Sequence, residues 1–318
     1  MKKVAFVGDV HLTDSPPKCR KDDDYLGNLM KKVRFILDRS DAIFFLGDLF
    51  KTPTVSDSAK CRIMAMFREY SNKKIYSIIG NHDVPYLNRS LLYKTSLGLM
   101  EINDIVEVVT EGINLFGIHI GVIPFQKNIE CPKDAEIILG HCFYENELDP
   151  EFSVSSSMLK DDKCKFMILG HDHAPSPERE INGFKLLRPG SLCRDNSKEY
   201  NLDEFGTRVG FIEMEIDEKK CKIVSHKRTP IPGVLPPREV FFTEVFNINS
   251  KTGNKFAHLY DISALLDKYK GRNESVGKKS GGSESSITIL QVLGEMKAPP
   301  EVVGYIKEMY LNLGMVLR

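Results

Sequence analysis

The sequence predicts an α/β protein built on two sheets, and three observations carry that reading. Short apolar runs alternate with helical patterns over the first hundred residues. Beyond them the pattern shifts to closely spaced short strands with small turns. Polar patches of Gly, Asp, Asn and His follow directly on several of the apolar runs. Strands alternating with helices imply parallel strands joined by crossovers, with functional residues at their carboxyl ends. A strand-rich second half fits a two-sheet α/β sandwich better than a single doubly wound sheet.

Val4 to Val7 is a β-branched and aromatic run, read as a buried first strand. Residues 12 to 24 are polar, with Pro16-Pro17 and three successive aspartates, and read as a loop. Tyr25 to Arg39 has helical spacing, with Leu26, Leu29, Met30, Val33, Ile36 and Leu37 on one face. Ala42 to Leu46 is the second strand, Ser58 to Tyr70 the second helix and Ile75 to Ile79 the third strand. A short helix is expected over residues 87 to 100. Short strands are then expected at Ile105 to Val109, Ile113 to Ile118, Ile137 to Leu139, Phe166 to Leu169 and Phe184 to Leu187. Arg208 to Ile216 and Cys221 to Val224 read as a hairpin turning at Asp217-Glu218.

A boundary is expected near Pro230-Ile231-Pro232-Gly233, dividing a domain of residues 1–229 from a small α+β extension of residues 230–318. In the extension, Phe241 to Phe246 reads as a strand, Ile262 to Tyr269 as a helix and Pro300 to Leu317 as a terminal helix. Residues 271–286, rich in Gly, Ser, Lys and Glu, read as a flexible segment. Its Gly277-Lys278-Lys279-Ser280 lacks the spacing of a phosphate-binding loop and follows no apolar strand.

With 44 basic and 44 acidic residues, the chain carries no global cationic field. Residues 227–318 are mildly basic, with 13 Lys and Arg against 9 Asp and Glu. Seven cysteines at irregular spacing, none arranged as CxxC, suggest reduced thiols in a cytoplasmic, reducing compartment. Cys142 is best read as a small buried residue beside His141. No apolar stretch is long enough to span a membrane, and the basic start breaks at Gly8-Asp9.

The chemistry lies in the polar patches. Five of the eight histidines fall in Gly8-Asp9-Val10-His11, Gly80-Asn81-His82-Asp83, Gly140-His141 and Gly170-His171-Asp172-His173, and Gly47-Asp48 adds a carboxylate. Asp9, His11, Asp48, Asn81, His141, His171 and His173 offer seven donors for two divalent cations. One carboxylate can bridge cations about 3.5 to 4 Å apart. Mixed oxygen and imidazole donors suit Mn, Fe or Zn better than Mg alone, and Mn is the expected metal, with Zn, Fe or Mg as alternatives. His82 is expected to be catalytic rather than a ligand, donating to a phosphate oxygen or protonating the leaving oxygen. Asp83 is its expected partner, holding the imidazole. His119, His226 and His258 have no such setting and read as structural or surface residues.

These motifs resemble the calcineurin-like metallophosphoesterase superfamily over about residues 1 to 225. The resemblance implies a four-layer α-β-β-α sandwich. It also implies one metal on Asp9, His11, Asp48 and His173 and the other on Asp48, Asn81, His141 and His171. Protein serine/threonine phosphatases of the superfamily carry GDxxDRG. Here the sequence is Gly47-Asp48-Leu49-Phe50-Lys51-Thr52, which lacks their phosphate-clamping arginine. Gly47-Asp48-Leu49-Phe50 and the later Arg188-Pro189-Gly190-Ser191-Leu192 are similar to the nuclease subunit of SbcCD-type complexes, including the short bacteriophage forms.

That resemblance implies a DNA exonuclease or endonuclease of recombination, repair or replication, acting with an SbcC-like ATPase. The stripe Val302, Val303, Ile306, Met309, Tyr310 and Leu313 would dock the ATPase or pack on its own domain. Lys278, Lys279, Lys297 and Lys307 would touch the DNA backbone or simply face solvent. The alternatives are a stand-alone enzyme for a small phosphoester, its tail forming a lid or a homodimer contact, and a scaffold that no longer turns over.

Overall fold

Period-two alternation sorts the strand residues into three apolar layers. In the computed structural model, which describes residues 1–159, 163–195, 199 and 209–241, Val4 and Phe6 face one way and Ala5 and Val7 the other. The chain divides into two units, Met1–Phe242 and Thr243–Arg318. The second unit, with the expected extension beyond residue 241, the 271–286 segment and the terminal helix, lies outside the described residues.

Strands β1 (Lys2–Val7), β2 (Ala42–Phe45), β3 (Lys74–Ser77) and β4 (Glu107–Val108) run parallel. They are linked by α1 (Tyr25–Arg39), α2 (Asp57–Arg68) and α3 (Ser96–Ile102). Each helix begins where a side chain can satisfy a free backbone N–H. Asp24 accepts from Gly27, Ser56 from Ala59 and Thr95 from Gly98. The apolar stripe of α1, including Leu26, Leu29, Val33 and Ile36, packs with Ala5, Val7, Ile43 and Phe45. The first part of the helix expected over residues 87–100 is instead occupied by two 3-10 segments, Pro85–Leu87 and Arg89–Lys94, ahead of α3.

The second half supplies β5 (Ile113–Leu115), β6 (Ile118–Ile123), β7 (Ile137–His141), β8 (Phe143–Tyr144) and β9 (Ser153–Val154). After them come β10 (Phe166–Gly170), β11 (Ser176–Ile181), β12 (Phe184–Arg188), β13 (Gly210–Asp217) and β14 (Lys222–Pro230). One six-stranded sheet has the order β14-β13-β1-β2-β3-β4 and the other β11-β12-β10-β7-β6-β5. The run Ile113 to Ile118, expected as one strand, is a hairpin turning at Phe116 and Gly117, both left-handed at φ 53° and 81°. A phenylalanine in the turn disguises it as apolar strand.

Between the sheets, Val4, Phe6, Phe44 and Tyr76 meet Ile120, Ile137, Leu139 and Ile168. Phe6 stacks on Phe44 at 5.5 Å and Phe44 on Tyr76 at 4.7 Å. Such pairs contribute about 0.5–1.5 kcal/mol each beyond area burial. The outer face of the second sheet buries Ile138, Met167, Leu169 and Leu186 against Tyr144 of β8 and Val154 of β9. Two 3-10 turns, Pro150–Phe152 and Ser156–Met158, lie in the same stretch of chain. The fold is thus the mixed α/β architecture of two large sheets flanked by helical segments.

Residues 231–241, including the short α4 (Pro237–Val240), stay with the first unit past the expected boundary. Ile231 joins the helix-side core, and Arg194 donates to the Leu235 carbonyl at 2.8 Å. Among the described residues no helix is long and apolar enough to cross a membrane, and all seven cysteines are free thiols.

Candidate metal centre

The carboxyl ends of β1, β2 and β3 in one sheet and of β7 and β10 in the other bring Asp9, Asp48, Asn81, His141 and His171 together. Glycines before these residues allow the close approach. A Cβ on Gly47, itself at φ 87°, would stand 2.3 Å from His141 Nδ1, and one on Gly80 would stand 2.1 Å from Asp48 Oδ1. His11, Asp48 and His171 hold left-handed backbones, at φ 53°, 50° and 75°. Such conformations cost of order 1 kcal/mol or more in non-glycine residues and persist where the surroundings enforce them.

Each aspartate spends one oxygen on a neighbouring loop and turns the other inward. Asp9 Oδ2 accepts from the His171 amide at 3.0 Å, and Asp48 Oδ1 accepts from the His82 amide at 2.8 Å. Asp9 Oδ1 then stands 4.0, 3.9 and 3.8 Å from the Nε2 atoms of His11, His141 and His173. Asp48 Oδ2 lies 3.4 Å from His11 Nε2 and 3.3 Å from His141 Nε2, between the two.

Asp9 Oδ1 and His11 Nε2 are buried without a hydrogen-bond partner. Donors that share a cation at about 2.0–2.2 Å from each stand roughly 3 to 4 Å apart, so this spacing fits a metal. The environment of His141 points the same way. Its Nδ1 donates to the Leu46 carbonyl at 2.6 Å. In the neutral ring Nε2 therefore aims a lone pair at Asn81 Oδ1, 3.0 Å away, and lies 3.2 Å from His171 Nδ1. A cation, or a proton, reconciles those groups. The atoms converge in three sets: His11, Asp48 and His82; Asp48, His141 and His171; and His11, His173, Cys193 and Asp195.

His82 lies at the rim, its side chain 38% exposed. Its Nδ1 donates to the Lys51 carbonyl at 2.9 Å, and its Nε2 is 3.9 Å from Asp48 Oδ2. Burial lowers its pKa below the usual imidazole range. Asp83, expected to hold the His82 imidazole, does something else. It is fully buried and accepts from the amides of Asp48 at 2.8 Å, Gly80 at 2.9 Å and Phe50 at 3.2 Å. These bonds tie the Asp48 loop to the Asn81 loop. Burial, reinforced by the Asp48 charge, raises its pKa. Three amide donors within reach on the loops outcompete a ring already satisfied by a carbonyl.

A family model described as calcineurin-like phosphoesterase matches residues 2–175. The chain belongs to the calcineurin-like phosphoesterase family. Among solved structures it is similar to an archaeal phosphodiesterase, at 16% identity and TM-score 0.37, over 71% of this chain and 99% of that one. A hypothetical protein from Thermus thermophilus shares 13% identity at TM-score 0.43, over 71% and 98% of the two chains. A phosphatase from Mycoplasma pneumoniae shares 13% identity at TM-score 0.41, over 73% and 94%. No curated protein matches the chain at a significant level.

Residues behind the donors of this calcineurin-like phosphoesterase had no signal in the sequence. Asp195 holds His11 Nδ1 at 2.7 Å and is itself paired with Lys51 Nζ. Glu199 pairs with His173 Nδ1 and accepts from Ser191 Oγ at 2.7 Å. Such carboxylate–imidazole pairs orient metal ligands and strengthen them. Neither acid follows an apolar run, so only the fold reveals them. His119 and His226 lie away from the centre, against the Asp134 carbonyl at 2.9 Å and Glu178 Oε2 at 2.7 Å. His258 lies outside the described residues. Cys142 is buried in the outer core, and burial pushes its thiol up to about 12.

Without metal, these imidazoles answer to the acids. Burial opposes charge on His11, His141 and His173. Bonds and charge from Asp195 and Asp48 at His11, from Asp48 and Asp9 at His141, and from Glu199 at His173 outweigh it. They raise the pKa values to about 9, about 9 and about 10. Burial, followed by the His141 charge, lowers His171 to about 3. Burial likewise opposes the Asp48 charge, but His141 and His11 hold that carboxylate well below its usual range.

Raised imidazole values stabilise the metal-free fold fully below about pH 6.5. That stability is lost as pH climbs through 9 to 10. The melting temperature of the protein in chelator should therefore fall over this range. Metal requires neutral imidazoles, so loading Mn at pH 7.5 should release up to about three protons. Calorimetry in buffers of different ionisation enthalpy measures that release, and no buffer dependence would show the rings already neutral.

Proposed function

We propose that this calcineurin-like phosphoesterase is a two-metal phosphodiesterase that cuts DNA, in recombination or repair, together with an SbcC-like ATPase. Metal-dependent phosphoester hydrolysis follows from the family and the donor cluster. The DNA substrate is supported by one observation, a set of aromatic side chains on the segments that follow β3, β6 and β7. Tyr86, four residues after His82, is 95% exposed on a left-handed backbone at φ 56°. Tyr93 on the following segment is 65% exposed. Phe125 stacks on Phe152 at 4.6 Å and lies 5.0 Å from the His171 ring, while Phe143 is 4.3 Å from that ring. Lys127 sits over Phe152 at 5.6 Å. Exposed aromatic faces stack bases of any sequence, at about 1–3 kcal/mol per base. A small phosphoester without a base has no use for them.

In this reading Asp9, His11, Asp48 and His173 hold one cation and Asp48, Asn81, His141 and His171 the other, manganese being the first choice. When bound, the pair supplies an acidified water and neutralises charge on the phosphate oxygens. The chain itself orients the groups around them. Asp195 and Glu199 fix the imidazole rings of His11 and His173. The Lys51 carbonyl commits the His82 Nδ1 proton, so Nε2 is the atom left to exchange protons, and only in the imidazolium form does it give a proton to the leaving oxygen or a hydrogen bond to the phosphate. The stripe from Val302 to Leu313, outside the described residues, is the proposed ATPase contact.

A substrate panel tests the proposal. Purified protein with Mn should degrade linear DNA, and more slowly with Mg. Tyr86→Ala should raise KM for DNA several-fold and leave bis(p-nitrophenyl) phosphate hydrolysis unchanged. Intact DNA alongside rapid hydrolysis of the small diester would end the nuclease reading and leave a small-substrate phosphodiesterase.

A further inference from the structure

A second concave site lies apart from the metal ligands. A cavity of about 190 Å³ opens between α1 and the segment Ile231–Leu235, its wall including Arg20, Lys31, Lys32, Phe35, Arg194 and Val234. Four cationic side chains meet a single carboxylate there, Asp22. Arg20 already claims that carboxylate, through Nε at 2.6 Å and Nη2 at 2.9 Å. Its third nitrogen donates to the Cys193 and Arg194 carbonyls at 3.2 and 3.0 Å.

Lys32 is left with much less. It is half-buried, and its ammonium donates to the Leu192 carbonyl. Among the described residues neither Lys31 nor Lys32 has a carboxylate within ion-pair reach. Burial, helped by the Arg20 charge, pushes Lys32 down to about 8. An ammonium removed from water without a counter-ion is costly, and an anion beside it relieves that cost. Beside these polar groups the cavity has an apolar wall: Phe35, Ile231, Val234, Leu235 and Val240. A cavity of about 150 Å³ admits a benzene ring, so this one has space for a ring or short chain carrying a charged head.

We propose that this cavity is a binding site for a small amphipathic anion, its carboxylate or phosphate head on Lys32 and its apolar body against Phe35, Ile231 and Val234. The assignment is independent of the DNA reading, because none of the proposed metal ligands lines the cavity.

Calorimetric titration of the full-length, Mn-loaded protein tests it with three probes. 4-Phenylbutyrate carries the carboxylate head, phenylphosphonate the phosphate-like head, and 4-phenylbutanol no charge. At least one anion should bind saturably, one per chain, at submillimolar Kd, and the alcohol roughly tenfold or more weakly. Which anion binds identifies the head. Lys32→Met should weaken that anion by a similar factor while bis(p-nitrophenyl) phosphate hydrolysis, the check on folding, stays unchanged. Val234→Phe, which fills the cavity and keeps the charge, should also block it. No saturable binding of either anion, equal binding of the alcohol, or undiminished binding by both variants would overturn the proposal.

Discussion

Replacing His82 with alanine should lower kcat by about 10²- to 10⁴-fold, the range for loss of a positioned proton donor, while metal content stays at the wild-type level. The expectation rests on how the ring is held. Nδ1 is engaged by the Lys51 carbonyl at 2.9 Å, so proton exchange is left to Nε2 at the exposed rim. Burial lowers its pKa, so Nε2 must take up a proton before it can give one, and activity should fall on the alkaline side as the imidazolium is lost. Nε2 also lies in one donor set with His11 and Asp48, which makes the metal count decisive. Steady-state kinetics should be paired with metal analysis of the same sample. Loss of one equivalent of metal in the variant would make His82 a ligand and remove its catalytic assignment.

The second large effect is expected at Asp83 and concerns stability. Asp83→Ala strands the amides of Asp48, Gly80 and Phe50 in a dry interior. Each unsatisfied buried donor costs about 1–3 kcal/mol, so the variant should lose more than about 3 kcal/mol. Asp83→Asn retains one acceptor oxygen and should lose less. Urea unfolding in chelator measures both without a contribution from bound metal. Metal affinity should fall alongside, because the same bonds set the Asp48 loop against the Asn81 loop. A variant as stable as wild type but slow in turnover would return Asp83 to the role of His82 partner.

Much of the first hundred residues was legible because local chemistry and tertiary packing agree there. The α1 span Tyr25–Arg39 follows from one apolar stripe, an aspartate before it and extended backbone after it. Asp9, Asp48, Asn81, His141 and His171, which the fold brings together, were legible because each sits just past an apolar run and directly behind a glycine. Where side-chain type and backbone role diverge, the reading failed. Phe116 looks like strand and occupies a turn. Asp83 looks like the partner of its sequence neighbour and instead binds amides, two of them more than thirty residues away.

The sequence by itself determined the strand-and-helix rhythm of the first half, the set of metal-donor types and the family, since these depend on residue identity and short-range spacing. Only the tertiary structure decided which groups hold those donors. Asp195 reaches His11 from 184 positions away and Glu199 reaches His173 across 26, while beside them the Lys51 carbonyl reaches His82 across 31 and, apart from the metal centre, the Lys32 ammonium reaches the Leu192 carbonyl across 160. Contacts at such separations arise from the stacking of two sheets and the packing of α1. No local pattern encodes them, because the residues involved become neighbours only after the apolar layers have closed.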